Sequence, residues 1–382
     1  MISSRWRAES VYRKGAIVRA VVFSGVDQPI EILDVDLASP GPKEVRVKIV
    51  AAGVCHSDLH VRRGEWVLPT PLVMGHEGSG TVVEVGSGVT TLKVGDHVVL
   101  SWVPSCGECR YCRAGKEARC QLAATVVAPG GVLQDGTSRL SRNGQMLHHY
   151  LGVSSFAEEA VVPETGAIKI RDDAPLDTMA LVGCAVATGV GAVANTAKVE
   201  AGATVVVVGC GGVGLSIVQG ARLAGAARIV AIDIRPEKTA LAMTMGATDQ
   251  LVVDSVDPVG ALRGLMPDGA DYVFDAIGIT KTTEQAIQML GLGGAAVIVG
   301  LPPTGARASF EPLVLAEADQ RILGSNYGSV RPAIDLPRLV DLYMSGDLLL
   351  DQLVSDRRRL DQAVKSLDDL DRGNALRTLL IP

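Results

Sequence analysis

Four cysteines, Cys106, Cys109, Cys112 and Cys120, fall within fifteen positions, the densest run of metal-binding side chains in the chain. Two-residue gaps let successive thiolates reach one ion, and four sulfurs close a tetrahedral shell around zinc. A closed shell leaves no position for a substrate, so the role read from this spacing is structural. An iron–sulfur cluster uses the same ligand type, and a redox disulfide the same thiols; the residues alone leave both open.

The remaining cysteines are scattered. Cys55 opens Cys55-His56-Ser57-Asp58-Leu59-His60 at the end of a strand-like run, Gly75-His76-Glu77 follows, and Gly183-Cys184 comes much later. Taken singly they have plain explanations: small buried thiols and a loop histidine satisfied by its neighbours. Cys210 is assigned no chemistry. Seven cysteines in a chain without a secretory h-region point to thiolate ligands rather than disulfides, and the odd count agrees.

Gly209-Cys-Gly-Gly-Val-Gly214 matches G-x-G-x-x-G. The pattern alone is weak in a chain with 43 glycines. Its setting strengthens it: strand Thr204–Val208 before, a helix from Ser216 to Leu223 after, and Asp233 closing the next strand. Gly209, Gly211, Gly212 and Gly214 let backbone approach a pyrophosphate at a helix N-terminus. A carboxylate at Asp233 accepts from a ribose diol and repels a 2′-phosphate, which favours NAD over NADP. The competing reading is a purely structural strand–helix turn.

The elements needed to position these groups fall into two grammars. From Ala16 to about Leu100, alternating apolar residues and Gly/Pro turns predict a mostly antiparallel β domain. Between Cys120 and Tyr150 the periodicity fades, which predicts a long surface loop. From residue 186, strands 204–208, 228–233, 249–253, 270–275 and 295–299 alternate with helical lengths, including Pro236 to Met245 stopped by Gly246. That alternation predicts a doubly wound parallel sheet. Beyond about residue 327, two or three helices and a last strand, 376–381, are expected to return to the first domain.

Composition limits the partners. With 47% hydrophobic and 20% charged residues a folded chain is expected, and 382 residues suit two domains. A net charge of −6 argues against nucleic acid. The uncharged stretches Thr178–Ala197 and Ala201–Ala221 read as buried strand and helix rather than membrane spans. Arg5, Arg7, Arg13 and Lys14 lie in a stretch of sixteen residues that reads as a tail, with no apolar run to make it a signal peptide. A cytoplasmic protein is the expectation.

Taken together, these segments resemble the zinc-dependent medium-chain alcohol dehydrogenases from about Ala16 to the C-terminus. Gly75-His-Glu-Gly78, Cys106 to Cys120, Gln134-Asp-Gly-Thr-Ser-Arg139, His148-His149, Gly209 to Gly214 and Val299-Gly-Leu-Pro302 all look like family segments. The resemblance implies an α/β protein: a GroES-like mostly-β catalytic domain over 1–185, with a zinc lobe at about 104–121, and a Rossmann NAD-binding domain over 186–326. Residues 327–382 would return to the catalytic domain. The long segment between Cys120 and Cys184 is most similar to the class I and class III branch, which implies a homodimer.

By the same resemblance, two zinc ions and NAD are the cofactors, and Cys55, His76 and Cys184 bind the catalytic zinc, a ligand set that the general chemistry of alcohol dehydrogenase zinc already names. Glu77 is implied as a carboxylate beside that metal, and Ser57 and His60 as a proton relay. His56 falls where many relatives carry an arginine against the pyrophosphate. Asp233, Lys238 and the loop glycines are implied on the adenosine side, Thr188, Val213, Val299 and Leu301 around the nicotinamide, and Arg377 on the pyrophosphate. Trp66 and Trp102 align with substrate-pocket walls, which favours slim primary or aromatic alcohols. Glutathione-linked formaldehyde dehydrogenases usually carry an acid where Trp66 stands, so oxidation of a thiol adduct is the alternative. A non-catalytic NAD-binding redox sensor is the alternative of another class; it has no need for Ser57 and His60.

Overall fold

The computed structural model describes residues 15–382. Of the expected tail, the basic stretch through Lys14 lies outside them, and a strand begins at Ala16. Strands Ala16–Phe23, Ile30–Leu37, Leu140–Arg142, Gln145–His149 and Leu72–Val73 close a barrel. Beside it lies a seven-stranded sheet in the order Ala167–Lys169, His97–Leu100, Gly78–Val85, Glu44–Gly53, Arg377–Ile381, Val354–Arg359, with Glu159–Pro163 also paired to Glu44–Gly53. Most of these pairings are antiparallel, as the alternation predicts.

The third sheet is wholly parallel: Asp249–Val252, Arg228–Asp233, Thr204–Val208, Ala270–Asp275, Leu290–Ile298 and Arg321–Gly324. Its central strand reads Thr-Val-Val-Val-Val, and all four valines are buried. β-Branched side chains suit a strand covered on both faces. The strand order reverses at Thr204–Val208, so a crevice opens beyond its C-terminal end, and the glycine run Gly209 to Gly214 starts there. Helix Pro236–Thr244 begins with proline in its first turn, and Gly246 follows it at φ +117°, a conformation that favours glycine.

Two expectations are corrected. The segment from Cys120 to Tyr150 is no loose loop: Ala123–Gly130 is helical, and Leu140–Arg142 and Gln145–His149 form a hairpin that completes the barrel. Its apolar residues are sparse because a short barrel strand needs only one or two inward positions, here Leu140 and Leu147, both buried. The C-terminal part holds an unforeseen strand, Val354–Arg359, parallel to Arg377–Ile381. Its sequence, Val-Ser-Asp-Arg-Arg-Arg, hides the signal because it is a largely exposed edge strand.

The returning tail docks where it matters. Leu379 and Leu380 pair antiparallel with Gly53 and Ala52, so the last strand abuts the strand that runs into Cys55. Among the described residues no single helix is long and apolar enough to cross a membrane. Leu176–Gly183 with Ala185–Ala197 passes as a pair by length and composition, but bends by 51° and is largely buried in the protein.

The motif Gln134 to Arg139 is structural. Arg139 holds Glu44 with two bonds of 2.8 Å and Asp135 at 2.6 Å, tying the segment to strand Glu44–Gly53. Both Glu44 and Arg139 are largely desolvated. Arg139→Ala leaves a buried carboxylate without its partner, and about 3 kcal/mol of stability should be lost. Urea unfolding measures it; an unchanged midpoint would show that the pair contributes nothing.

Candidate active site

The four clustered cysteines do converge. Sγ of Cys109 lies 3.5 Å from that of Cys112, and Sγ of Cys106 lies 4.0 Å from it. Sulfurs at corners of a tetrahedral zinc shell sit about 3.8 Å apart, given metal–sulfur bonds of about 2.3 Å. All four lie within 4.8 Å of one another, which suits one ion rather than a polynuclear cluster. Backbone N–H groups point at the sulfurs: Cys106 to Cys120 at 3.3 Å, Cys109 to Cys106 at 3.3 Å, and Gln121 to Cys109 at 3.5 Å. The amides of Gln121 first and then Cys112 lower the Cys109 thiol to about 6. Burial pushes the Cys112 and Cys120 thiols the other way, up, and every cysteine among the described residues is free.

A second donor set forms in the interior. Cys55, His76, Glu77 and Cys184 each bring a ligand atom within 4.8 Å of the others, and all four are buried. Cys55 precedes helix His56–Arg62, His76 sits in the turn before strand Gly78–Val85, and Cys184 stands before helix Ala185–Gly191. Glycines make the convergence sterically feasible. A Cβ at Gly53 would come within 2.2 Å of Glu77 Oε1, and one at Gly183 within 2.6 Å of Leu100 O. Cys184 Sγ lies 3.4 Å from His76 Nε2.

The surrounding charges are desolvated and matched. Burial lowers the His76 imidazole, but the Asp58 carboxylate 3.5 Å from its Nδ1 and the Cys55 sulfur outweigh that and carry it to about 10. Burial pushes the Glu77 carboxyl up to about 7, against the pull of Arg377. The Cys55 thiol is held well below its usual range, first by the hydrogen bond with Cys184 and then, against burial, by the charge of Arg377. Both oxygens of Glu77 have no close hydrogen-bond partner. A cation among two sulfurs, an imidazole and a nearby carboxylate answers that imbalance, and zinc fits the donor chemistry.

Ser57 Oγ lies 3.7 Å from Cys55 Sγ, at the edge of this cluster. His60 is one helical turn further, its Nδ1 bonded to the Glu65 carboxylate and its ring stacked on Trp66 at 4.5 Å. Trp66 Nε1 donates to Pro302 O at 3.3 Å, joining the first domain's loop to the loop after strand Leu290–Ile298. Trp102 packs on Tyr327 at 4.5 Å, and the Tyr327 hydroxyl donates to Gly183 O, next to Cys184.

At the glycine run, a Cβ on Gly214 would meet Gly209 O at 1.7 Å, so the helix can start only this close to the strand with glycine there. The helix begins at Gly212, four residues earlier than read from the sequence. Asp233 accepts from Cys210 N at 2.7 Å and Arg235 N at 3.0 Å, which fixes the carboxylate at the mouth of the loop. Arg377 Nε lies 2.3 Å from where a Cβ on Gly212 would sit, while its Nη1 donates to Val54 O at 3.1 Å and approaches Glu77 at 3.6 Å. It thus bridges the phosphate loop and the metal cluster. His56 is held below its usual range, first by desolvation and then, against Cys55, by the charges of Arg377, Lys238 and His60. Thr188 and Val213 are half-buried, Val299 is buried and Leu301 is exposed.

Three residues were not singled out from the sequence. Asp58 accepts from Cys55 N at 2.9 Å and faces His76; its signal was the acid three positions after the residue preceding a helix. Tyr150 donates from its hydroxyl to Ser57 O at 2.9 Å and meets His76 edge-on. Glu65 holds His60. Nothing local marks Tyr150, because its partners come from the tertiary fold; Glu65 lies only five positions from His60, but a turn acid at that spacing matches no regular helical pairing. His148 and His149 do not join the site: buried His149 accepts from Arg139 N at 3.2 Å, and burial first and nearby Arg139 hold it near 3, neutral.

Comparison with known proteins agrees with this geometry. Residues 41–172 match the alcohol dehydrogenase GroES-like domain family, and 212–345 the zinc-binding dehydrogenase family. The chain is 41% identical over 369 residues to an S-(hydroxymethyl)glutathione dehydrogenase of Escherichia coli, covering 95% of this chain and 99% of that protein. It is 39% identical over 370 residues to the class-3 alcohol dehydrogenase of Drosophila melanogaster, covering 95% and 97%. The crystal structure of benzyl alcohol dehydrogenase from Acinetobacter calcoaceticus superposes with a TM-score of 0.90 at 34% identity, covering 96% of this chain and 99% of that one. Sequence, fold and donor sets therefore agree that the chain belongs to the zinc-dependent medium-chain alcohol dehydrogenases, NAD-linked oxidoreductases acting on alcohol groups.

Proposed function

We propose that this enzyme oxidises slim primary alcohols, aromatic ones among them, to aldehydes with NAD, and reduces the aldehydes in reverse. The observation that carries the reading is the buried convergence of Cys55, His76 and Cys184 beside Ser57, with the phosphate loop reached through Arg377. When bound there, zinc supplies the Lewis acidity that makes an alcohol proton easy to remove, and NAD supplies the hydride acceptor. Ser57 takes the proton at Oγ, and His60 passes it towards solvent. Glu77 balances the charge of the donor set, while Asp58 fixes the His76 ring through Nδ1. Arg377 and His56 face the pyrophosphate, Asp233 and Lys238 the adenosine side, and Thr188, Val213, Val299 and Leu301 the nicotinamide.

Trp66 stacks on His60 and Trp102 packs on Tyr327, which reaches Gly183 beside Cys184, and two indoles at pocket-wall positions favour a slim substrate. A second reading is oxidation of a thiol adduct of formaldehyde. It is supported by the names of the relatives above, and opposed by an indole at residue 66, where an acid would serve such an adduct.

The same reading divides the chain into a catalytic part, 1–185, a cofactor part, 186–326, and a returning part, 327–382, with Cys106, Cys109, Cys112 and Cys120 holding the structural zinc. Thiolate ligands are best kept in a reducing compartment, which favours the cytoplasm. The edge strand Arg321–Gly324, with Ile322 and nearby Phe310 and Leu313 exposed, supports pairing of two chains.

Three measurements test these statements. Cys55→Ser and His76→Ala should each abolish turnover without unfolding the chain, and zinc content should fall from about two ions per chain to about one. Full activity of either variant in metal-free buffer would remove the metal role. NADH formation should be fast with benzyl and short primary alcohols; turnover confined to formaldehyde plus glutathione would establish the thiol-adduct reading instead. Because His76 and Cys184 hold protons in the metal-free site, zinc uptake should release protons and weaken from about pH 8 to about pH 6. Uptake independent of pH would contradict that proton inventory.

A further inference from the structure

His60 is held more firmly than a proton relay open to solvent requires. Its Nδ1 meets the Glu65 carboxylate, and its ring is covered by Trp66 at 4.5 Å with planes 16° apart. Both clamping residues come from the short turn after helix His56–Arg62, where Gly64 at φ +68° lets the chain double back. The backbone N–H groups of Glu65 and Trp66 donate to His60 O, at 2.9 and 3.3 Å, so the turn is pinned to the residue it clamps.

The same turn is fastened to the cofactor side of the cleft. Thr304 N donates to Glu65 O at 3.2 Å, and Trp66 Nε1 donates to Pro302 O at 3.3 Å. Arg63, 3.7 Å from Glu65 Oε1, engages the carboxylate from its other oxygen.

We propose that Glu65 is the positioning residue for His60. An ionised carboxylate only accepts, so a neutral His60 beside it must carry its hydrogen on Nδ1. Nε2 is then the ring's single acceptor, the atom that receives the proton leaving the alcohol by way of Ser57. Once Nε2 is protonated, the Glu65 charge faces the imidazolium until Nε2 gives the proton to water, and the ring returns to the same tautomer. Trp66 keeps the ring plane fixed meanwhile.

This inference rests on the relay reading of His60, and a double-mutant comparison on the zinc-loaded enzyme separates the two. Glu65→Ala should lower kcat for alcohol oxidation about 10-fold with the KM values for alcohol and NAD nearly unchanged. Glu65→Gln, which keeps an accepting oxygen, should recover most of that loss. In a His60→Gln background, Glu65→Ala should change kcat by less than about 2-fold. Nitrogen NMR of the His60 ring should show hydrogen on Nδ1 in the parent and a mixture of tautomers in Glu65→Ala. If His60→Gln alone leaves kcat intact, the relay reading fails. If His60→Gln slows turnover but Glu65→Ala does not, or if Glu65→Ala slows both backgrounds equally, only the positioning role is overturned.

Discussion

The centre of this molecule is a problem of buried charge. Asp58, His76, Glu77, Cys55, Cys184 and Arg377 are all withdrawn from water within one region. Any one alone would be costly in a low-dielectric interior, and each is tolerable because an opposite charge or a donor lies within a few ångströms. Arg377 is the hinge of that balance. It arrives from the last strand, 322 positions after Cys55 in sequence, and its guanidinium is shared between Val54 O and Glu77. The return of the C-terminal strand to Gly53 and Ala52 is therefore an electrostatic necessity as well as a packing one.

Much of this was legible in the chain itself. The parallel sheet could be read because its strands are short β-branched runs at regular spacing, and the glycine run because only glycine permits such close strand-to-helix contact. The four-cysteine lobe was legible because its ligands are local. The inner donor set was not derivable from spacing: Cys55 and Cys184 are 129 positions apart, and only family resemblance joined them. Tyr150 stayed hidden for the same reason, whereas Glu65 stayed hidden because its five-residue spacing from His60 depends on the turn at Gly64 and matches no helical period.

Where the sequence misled, polar residues were the cause. Arg139, Glu44 and Asp135 make a compensated network within the barrel wall, so a stretch that looks like solvent-facing loop is partly interior. The charged strand Val354–Arg359 likewise looked non-strand because Arg358 and Asp356 satisfy each other along the edge. Periodicity reports which side chains are apolar; it is blind to polar groups that fold together in pairs.

The zinc lobe has a reach beyond its own four sulfurs. Ala118 O accepts from Asn326 Nδ2 at 3.0 Å, and Arg331 approaches Glu117 at 3.7 Å. Asn326 adjoins Tyr327, whose hydroxyl anchors Gly183 O immediately before Cys184. Stripping the outer ion would loosen Ala118, and the slack would be handed through two side chains to an inner ligand. Under the proposed function, the four-sulfur site would thus act as a strut for the inner donor set.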